Sequence, residues 1–273
     1  MSERTETAME LSLVSFNLRC VWDNGDGANC FLHRSGMVLE KLRAEKPDVI
    51  CFQEAMPPHI DFLRQFLPEY DFVFNQRDAD FSGEGLAVAI KRNVVEIYQY
   101  SMFWLSDTPS VPGSCFEKQS GLPRIVQNMI LRDLRTGKFF RVHNTHLDHA
   151  YEEARTNGIR VVLDHIAQCQ KQWKLPVFLL GDFNACPDSD VIRACKTHPE
   201  LEIVDTTEKI DTTFHEFGKR LHQENTKPFA NKIDYIFTDS ETSKRPYTVG
   251  VWKENCNGIY LSDHYPVFLK IEL

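Results

Sequence analysis

The stretch VFLLGDFNACPDSD, Val177 to Asp190, limits the fold most tightly. Four apolar residues in a row, bounded by turn formers, are the pattern of a strand buried on both faces. The run stops at once on Gly181, Asp182, Phe183 and Asn184. In open α/β sheets ligands sit outside the carboxyl ends of such strands, so Asp182 and Asn184 fall where chemistry is done. The same two residues also suit a plainer task, Asp182 opening a turn and Asn184 capping the helix suggested by PDSDVIRAC.

Similar runs recur along the chain. LSLVSFNLR alternates, with Leu11, Leu13, Ser15 and Asn17 on one face, and DVICFQE is a second buried strand that ends on a carboxylate, Glu54. YDFVFNQ, GLAVAI, VVEIYQYSMFWL, RIVQNMILRDL and KFFRVHNTHLD read as strands, the last two joined by RTGK as a hairpin. Late strands follow at KIDYIFT, YTVGVW and PVFLKIEL. Helices are predicted around HRSGMVLEKLRAEKPD, over PPHIDFLRQFLPEY and near Ser189 to Cys195. Another runs from Tyr151 to Trp173, with Ile159, Val162, Leu163, Ile166 and Cys169 as its apolar stripe. Consecutive strands mixed with βα units predict an α/β protein with partly antiparallel sheets. Two long, weakly patterned loops, SDTPSVPGSCFEKQSGLP and HEFGKRLHQENTKPFAN, have the length of functional or mobile segments.

The 273 residues fit one large domain or two small ones, and no Gly/Ser/Pro linker divides them. The opening MSERTETAMEL lacks the apolar core of a secretory signal, and no apolar run approaches the ~20 residues of a membrane span. The expectation is a soluble, cytoplasmic protein. Eight cysteines include no C-x-x-C pair, which argues against a zinc ribbon and for free thiols. A net charge of −8 and no Lys/Arg block longer than KR argue against processive binding of long duplex nucleic acid.

Six strand-linked positions carry an acid, an amide or a histidine: Asn17, Glu54, Asn144 to His149, Asp182 with Asn184, Asp234, and Asp263 with His264. One acid at a strand end is commonplace; six such clusters exceed what turns require. Charges gathered at one sheet edge are costly unless paired or bound to metal. An oxygen-rich set without thiolates suits Mg2+ or Mn2+ better than zinc.

In this order, SFN, QE, THLDH, GDFN, IDYIF and SDH resemble the endonuclease/exonuclease/phosphatase superfamily, over nearly the whole chain from Ser15 to His264. FWLSDTP, LPRIVQ and TTFHEF are similar to a bacterial branch of magnesium-dependent hydrolases. The resemblance implies a deoxyribonuclease I-like, four-layer sandwich of two face-to-face mixed β-sheets flanked by helices. It implies a tail over 1–10 and a single domain over 11–273, since any internal boundary would divide the site.

It further implies Glu54 as metal ligand, with Asn17 beside the metal or holding the nucleophile's surroundings and Asp263 near the metal or its water. Asp182 would orient or deprotonate the attacking water, and Asn184 would hold a phosphate oxygen through its amide. Asp234 would fix the tautomer of His264, and either Asp182 or His264 would take the proton. His146 would meet the phosphate or protonate the leaving oxygen, with Glu84 orienting it. Asp148 and His149 line the pocket or are structural.

Arg155 points with the buried stripe at the start of its helix, as a phosphate clamp or as an ion-pair partner of Asp148 or Glu152. Arg124 is a second clamp candidate and His215 a weaker pocket candidate. Arg19 stands where relatives carry an acid, so one metal ligand of those enzymes is missing.

The implied activity is hydrolysis of a phosphate ester, a small molecule or a short or terminal nucleic acid, with no obligate protein partner. The contrasting reading is a phosphate-binding module of the same fold without catalysis.

Overall fold

The computed structural model describes residues 10–21, 24–222 and 229–273. Residues 1–9 of the expected tail lie outside the described residues, and Glu10 already opens the first strand. Part of the second predicted loop, 223–228, also lies outside them.

Two six-stranded mixed sheets form the molecule's centre. The first is built from β1 (Glu10–Asn17), β2 (Val49–Ala55), β3 (Tyr70–Gln76), β4 (Gly85–Lys91), β11 (Tyr247–Val251) and β14 (Val267–Glu272), in the order β11-β14-β1-β2-β4-β3. The second uses β5 (Val95–Trp104), β6 (Ile125–Asp133), β7 (Phe139–His146), β8 (Val177–Asp182), β9 (Ile203–Asp205) and β10 (Asp234–Asp239), in the order β5-β6-β7-β8-β10-β9. A small ribbon pairs β12 (Asn255–Cys256) with β13 (Ile259–Tyr260). The four α-helices of the described residues are α1 (Phe31–Glu45), α2 (Pro57–Phe66), α3 (Glu152–Gln172) and α4 (Asp190–Lys196). The long strands and all four helices match the expected segments; the short strands β9, β12 and β13 have no periodicity to announce them.

Period-2 alternation sorts each strand's side chains into two layers. Val14 and Phe16 of β1, with Ile50 and Phe52 of β2, pack outward on Val38 and Leu42 of α1 and Ile60 and Leu63 of α2. Val177 and Leu179 of β8 pack outward on Ile159, Val162, Leu163 and Ile166 of α3 and on Val191 and Ile192 of α4. The alternate residues, Leu11, Leu13, Val49 and Cys51 from one sheet and Val142, Phe178, Leu180 and Ile236 from the other, meet between the sheets. The result is the four-layer order of helices, sheet, sheet, helices. All eight cysteines are free thiols.

The inner faces change character at one end. Following Leu11 and Leu13 inward come Ser15 and Asn17; following Cys51 comes Gln53; following Val142 come Asn144 and His146; following Leu180 comes Asp182. Beneath the polar end an amide ladder links the sheets. Gln53 Nε2 donates to Asn144 Oδ1 (2.8 Å), Asn144 Nδ2 to Gln127 Oε1 (3.2 Å), and Gln127 Nε2 to Asn75 Oδ1 (2.8 Å). Buried amides are tolerated because each finds a partner.

Candidate active site

Strand register builds the centre. β7 runs parallel to β8 with His146 opposite Asp182, and β10 runs antiparallel to β8 with Asp234 opposite Asp182. Three chemical side chains from distant parts of the chain therefore stand side by side. Gly181 permits this close packing: at φ +152°, a Cβ there would lie 1.9 Å from the Thr145 carbonyl oxygen.

Asp182 is the hub. Its Oδ1 accepts the Asn184 backbone N–H (2.8 Å), and its Oδ2 accepts from Asn17 Nδ2 (3.0 Å). The same Oδ2 lies 3.5 Å from His146 Nε2 and 3.8 Å from His264 Nε2. Burial, and after it the Asp234 charge, push the Asp182 carboxyl up to about 7. His264 Nδ1 pairs with Asp234 Oδ2 at 2.8 Å, the arrangement expected for an oriented imidazole. Burial alone would lower His264, but the Asp234 and Asp182 carboxylates outweigh it and raise the ring to about 10.

Glu54 reaches this hub from the other sheet. Simple alternation would turn it away from the inner face that Gln53 occupies. The register between β2 and β4 shifts between Phe52 and Ala55, and Glu54 takes a left-handed φ of +51°. A bulge of this kind re-aims a side chain, and its strain is of order 1 kcal/mol. Asn17 Nδ2 donates to Glu54 Oε1 (3.0 Å) and the Cys20 backbone N–H to Oε2 (2.8 Å). Burial would raise the Glu54 carboxyl, yet these hydrogen bonds hold it below its ordinary value.

Ligand atoms of Glu54, His146 and Asp182 lie within 4.8 Å of one another, as do those of Asp182, Asp234 and His264. A third group, Cys20, Glu54 and Glu84, meets the same limit. The expected ligand Asp263 stands outside these groups: its Oδ2 is 3.8 Å from Arg19 Nε, and its Oδ1 accepts from Ser262. Arg19 in turn pairs with Asp26 (3.2 Å), so an internal cation fills space beside Asp263.

The remaining expected residues divide. Asn184, at φ +49°, donates its amide hydrogens toward Leu147 O (3.1 Å) and His146 Nε2 (3.1 Å). The resting amide is thus committed before any phosphate arrives, and it orients the ring of His146. Burial, then Arg124 and Arg77, hold His146 well below the ordinary histidine range, so it rests neutral. Glu84 does not orient this histidine; its Oε2 accepts from Arg77 Nη1 at 2.8 Å.

Asp148 is held by local hydrogen bonds. Its Oδ1 accepts from Ala150 N (2.9 Å) and Tyr151 N (2.7 Å) just before α3, and its Oδ2 takes the Ser120 hydroxyl and backbone N–H. His149 is exposed and lies 3.3 Å from Arg124 Nη2. Arg155 is half-buried and forms neither expected ion pair; its Nη1 donates to the Asp148 carbonyl (3.1 Å). His215 is packed in the interior: its ring stacks on Tyr265 at 4.0 Å, and its Nδ1 accepts from Gly218 N.

Arg77, buried beside Glu84, was not anticipated, although its place just past the strand YDFVFNQ matches the strand-end rule that exposed the other residues.

This geometry can be set against known proteins. The family description Endonuclease/Exonuclease/phosphatase matches residues 14–264. The chain belongs to that family. Its named members hydrolyse phosphoester bonds, and the fold is deoxyribonuclease I-like. A solved family structure from Bacteroides vulgatus superposes with a TM-score of 0.84 at 27% identity, covering 97% of this chain and 99% of that one. A mannosyl-6-phosphatase from Bacteroides thetaiotaomicron shares the fold with a TM-score of 0.78 at 23% identity, covering 96% and 100%. Tyrosyl-DNA phosphodiesterase 2 of Danio rerio is 22% identical over 273 residues, covering 95% of this chain and 66% of that protein. No helix of the described residues is long and apolar enough to cross a membrane.

Proposed function

We propose that this chain is a Mg2+- or Mn2+-dependent phosphoesterase whose centre is the cluster around Asp182. The observation that carries the reading is the row His146, Asp182 and Asp234, fixed by strand register and completed by Glu54 and His264. The donor set fits a hard cation: Glu54 and Asp182 supply carboxylate oxygens, Asn17 hydrogen-bonds to both, and the raised Asp182 carboxyl marks negative charge crowded in a buried place. A divalent cation held there supplies Lewis-acid polarisation of the phosphoryl oxygen and stabilises the leaving oxygen.

The protein's own groups do the rest. Asp182, held by Asn17 and by the Asn184 backbone N–H, would orient or deprotonate the attacking water. His264, protonated and clamped by Asp234, offers a fixed positive charge to the phosphoryl oxygens. His146 and Asn184 exchange their mutual hydrogen bond for contacts to the substrate. Because the site draws on both sheets, we also read 11–273 as one domain.

The names of the relatives support both monoester and diester substrates, and the charge of −8 favours small or short ones. The test is hydrolysis of p-nitrophenyl phosphate and bis(p-nitrophenyl) phosphate with Mg2+, comparing wild type with Glu54→Gln and His264→Ala. Turnover by wild type that both variants lose is expected. Wild-type rates equal to both variants would leave a phosphate-binding module.

A further inference from the structure

Arg77 and Arg124 lie on the His146 side of the centre, and both are more than nine-tenths buried, with exposures of 6% and 4%. Neither is satisfied. Nε of Arg77 and both Nε and Nη1 of Arg124 are buried without a hydrogen-bond acceptor. Arg77 has Glu84 on Nη1 at 2.8 Å and Asp78 only at 4.0 Å. Arg124 has no carboxylate within ion-pair distance among the described residues; its side chain makes a hydrogen bond with His149.

The pair is held rigidly. Trp104 Nε1 donates to the Arg77 carbonyl (2.6 Å), and the next residue's backbone N–H, from Leu105, donates to the Arg124 carbonyl (2.7 Å). One strand end thus ties the backbones of both arginines, and the charges of both act on His146. Burial and then Arg77 pull Arg124 down to about 10, against the partial offset of the Glu84, Asp148 and Asp182 carboxylates. Buried charges of one sign with spare N–H groups are stable only when an anion completes them. A guanidinium's planar fork matches phosphate oxygens.

We propose that Arg77 and Arg124 form an anion subsite beside His146 that takes a terminal, dianionic phosphate group of the substrate. It rests on the phosphoesterase reading and narrows it. An internal diester offers two non-bridging oxygens and one charge, and the cation, Asn184 and His146 already compete for them. A terminal phosphate offers a third oxygen and a second charge for the unused donors. That terminal group is either the phosphoryl being cleaved or a second one on the same molecule.

Kinetics on two matched pairs test this. With Mg2+, p-nitrophenyl phosphate is compared with bis(p-nitrophenyl) phosphate, and the 5′-phosphorylated dinucleotide pdTpdT with dTpdT. Wild type is expected to favour the member with a terminal phosphate in at least one pair by about tenfold in kcat/KM, the value of one charge-assisted hydrogen bond. The first pair reports the reacting phosphoryl and the second an additional one. Arg77→Gln and Arg124→Gln should each erase that preference, with Arg77→Lys and Arg124→Lys retaining part of it should the Gln variants fail to fold. No preference in wild type, or a preference that survives folded variants, overturns the proposal. Absence of any turnover sinks the phosphoesterase reading instead. The subsite is then judged on Glu54→Gln by the rise in Tm with inorganic phosphate, which supports it only where Arg124→Gln removes that rise.

Discussion

The two sides of the site are built differently. His146, Asp182 and Asp234 are strand residues whose spacing follows from backbone hydrogen bonding across β7, β8 and β10. Arg77, Arg124, His149 and Arg155 sit at strand and helix ends, tied by side-chain and carbonyl contacts to the loops between β3 and β4, β5 and β6, and β7 and α3. Register can hold reacting groups to fractions of an ångström, which catalysis needs. Loops tolerate replacement, so they suit the choice of substrate.

That contrast makes the largest expected effect a kinetic one. Asp182→Asn or His264→Ala should lower kcat/KM by about 10³-fold for every substrate without reordering them, as loss of a proton acceptor or fixed charge does elsewhere. Steady-state kinetics on a mixed ester panel checks this; reordering by a strand variant would break the division. Next comes stability. Gly181→Ala forces a Cβ to 1.9 Å from Thr145 O between β7 and β8. It should cost about 3–5 kcal/mol in urea unfolding, the tail reserved for backbone clashes.

Gln53→Leu tests the ladder under the row. It strips Asn144 Oδ1 of its Gln53 donor at 2.8 Å, for an expected loss of about 1–3 kcal/mol. Ser120→Ala, in the loop that Asp148 fastens, should cost less, about 1 kcal/mol. Unequal results in the opposite sense would show that loops, not strands, carry the site's rigidity.

A further effect concerns pH. The folded Asp182 carboxyl titrates near 7, above its ordinary 3.8, so the folded protein keeps that proton across the interval. Protonation of Asp182 therefore stabilises the metal-free fold below 3.8, and this contribution is lost as pH rises through about 7. A cation needs the ionised form, so Mg2+ affinity should increase with pH up to about 7 and level off above it. Calorimetric titration at several pH values reads the slope, which Asp182→Asn should flatten. His264 acts with the same sign in a higher window: raised from 6.5 to about 10, it stabilises the fold below 6.5, and this is lost as pH climbs through about 10.

The contrast also explains what the sequence disclosed. Apolar runs broken by an acid, amide or histidine revealed Asp182, Asp234 and His146, because period 2 and strand ends are local patterns. Glu54 was legible as a residue, but the bulge that turns it inward depends on β4 and leaves no mark in DVICFQE. Asp148 reads like its neighbours in NTHLDH, yet its partners, Ser120 and the backbone just before α3, come from folding. Arg124 and Arg77 meet only in space, and no spacing in the chain announces their proximity. Strand chemistry was readable as a row; loop residues such as Arg124 were readable singly, and their partners were not.

Crystals soaked in Mn2+ and measured at the manganese absorption edge test the centre most directly. An anomalous peak bonded to the Glu54 carboxylate and facing Asp182 is the result this account predicts. A saturated soak with manganese only on surface acids, and none at Glu54, would contradict it.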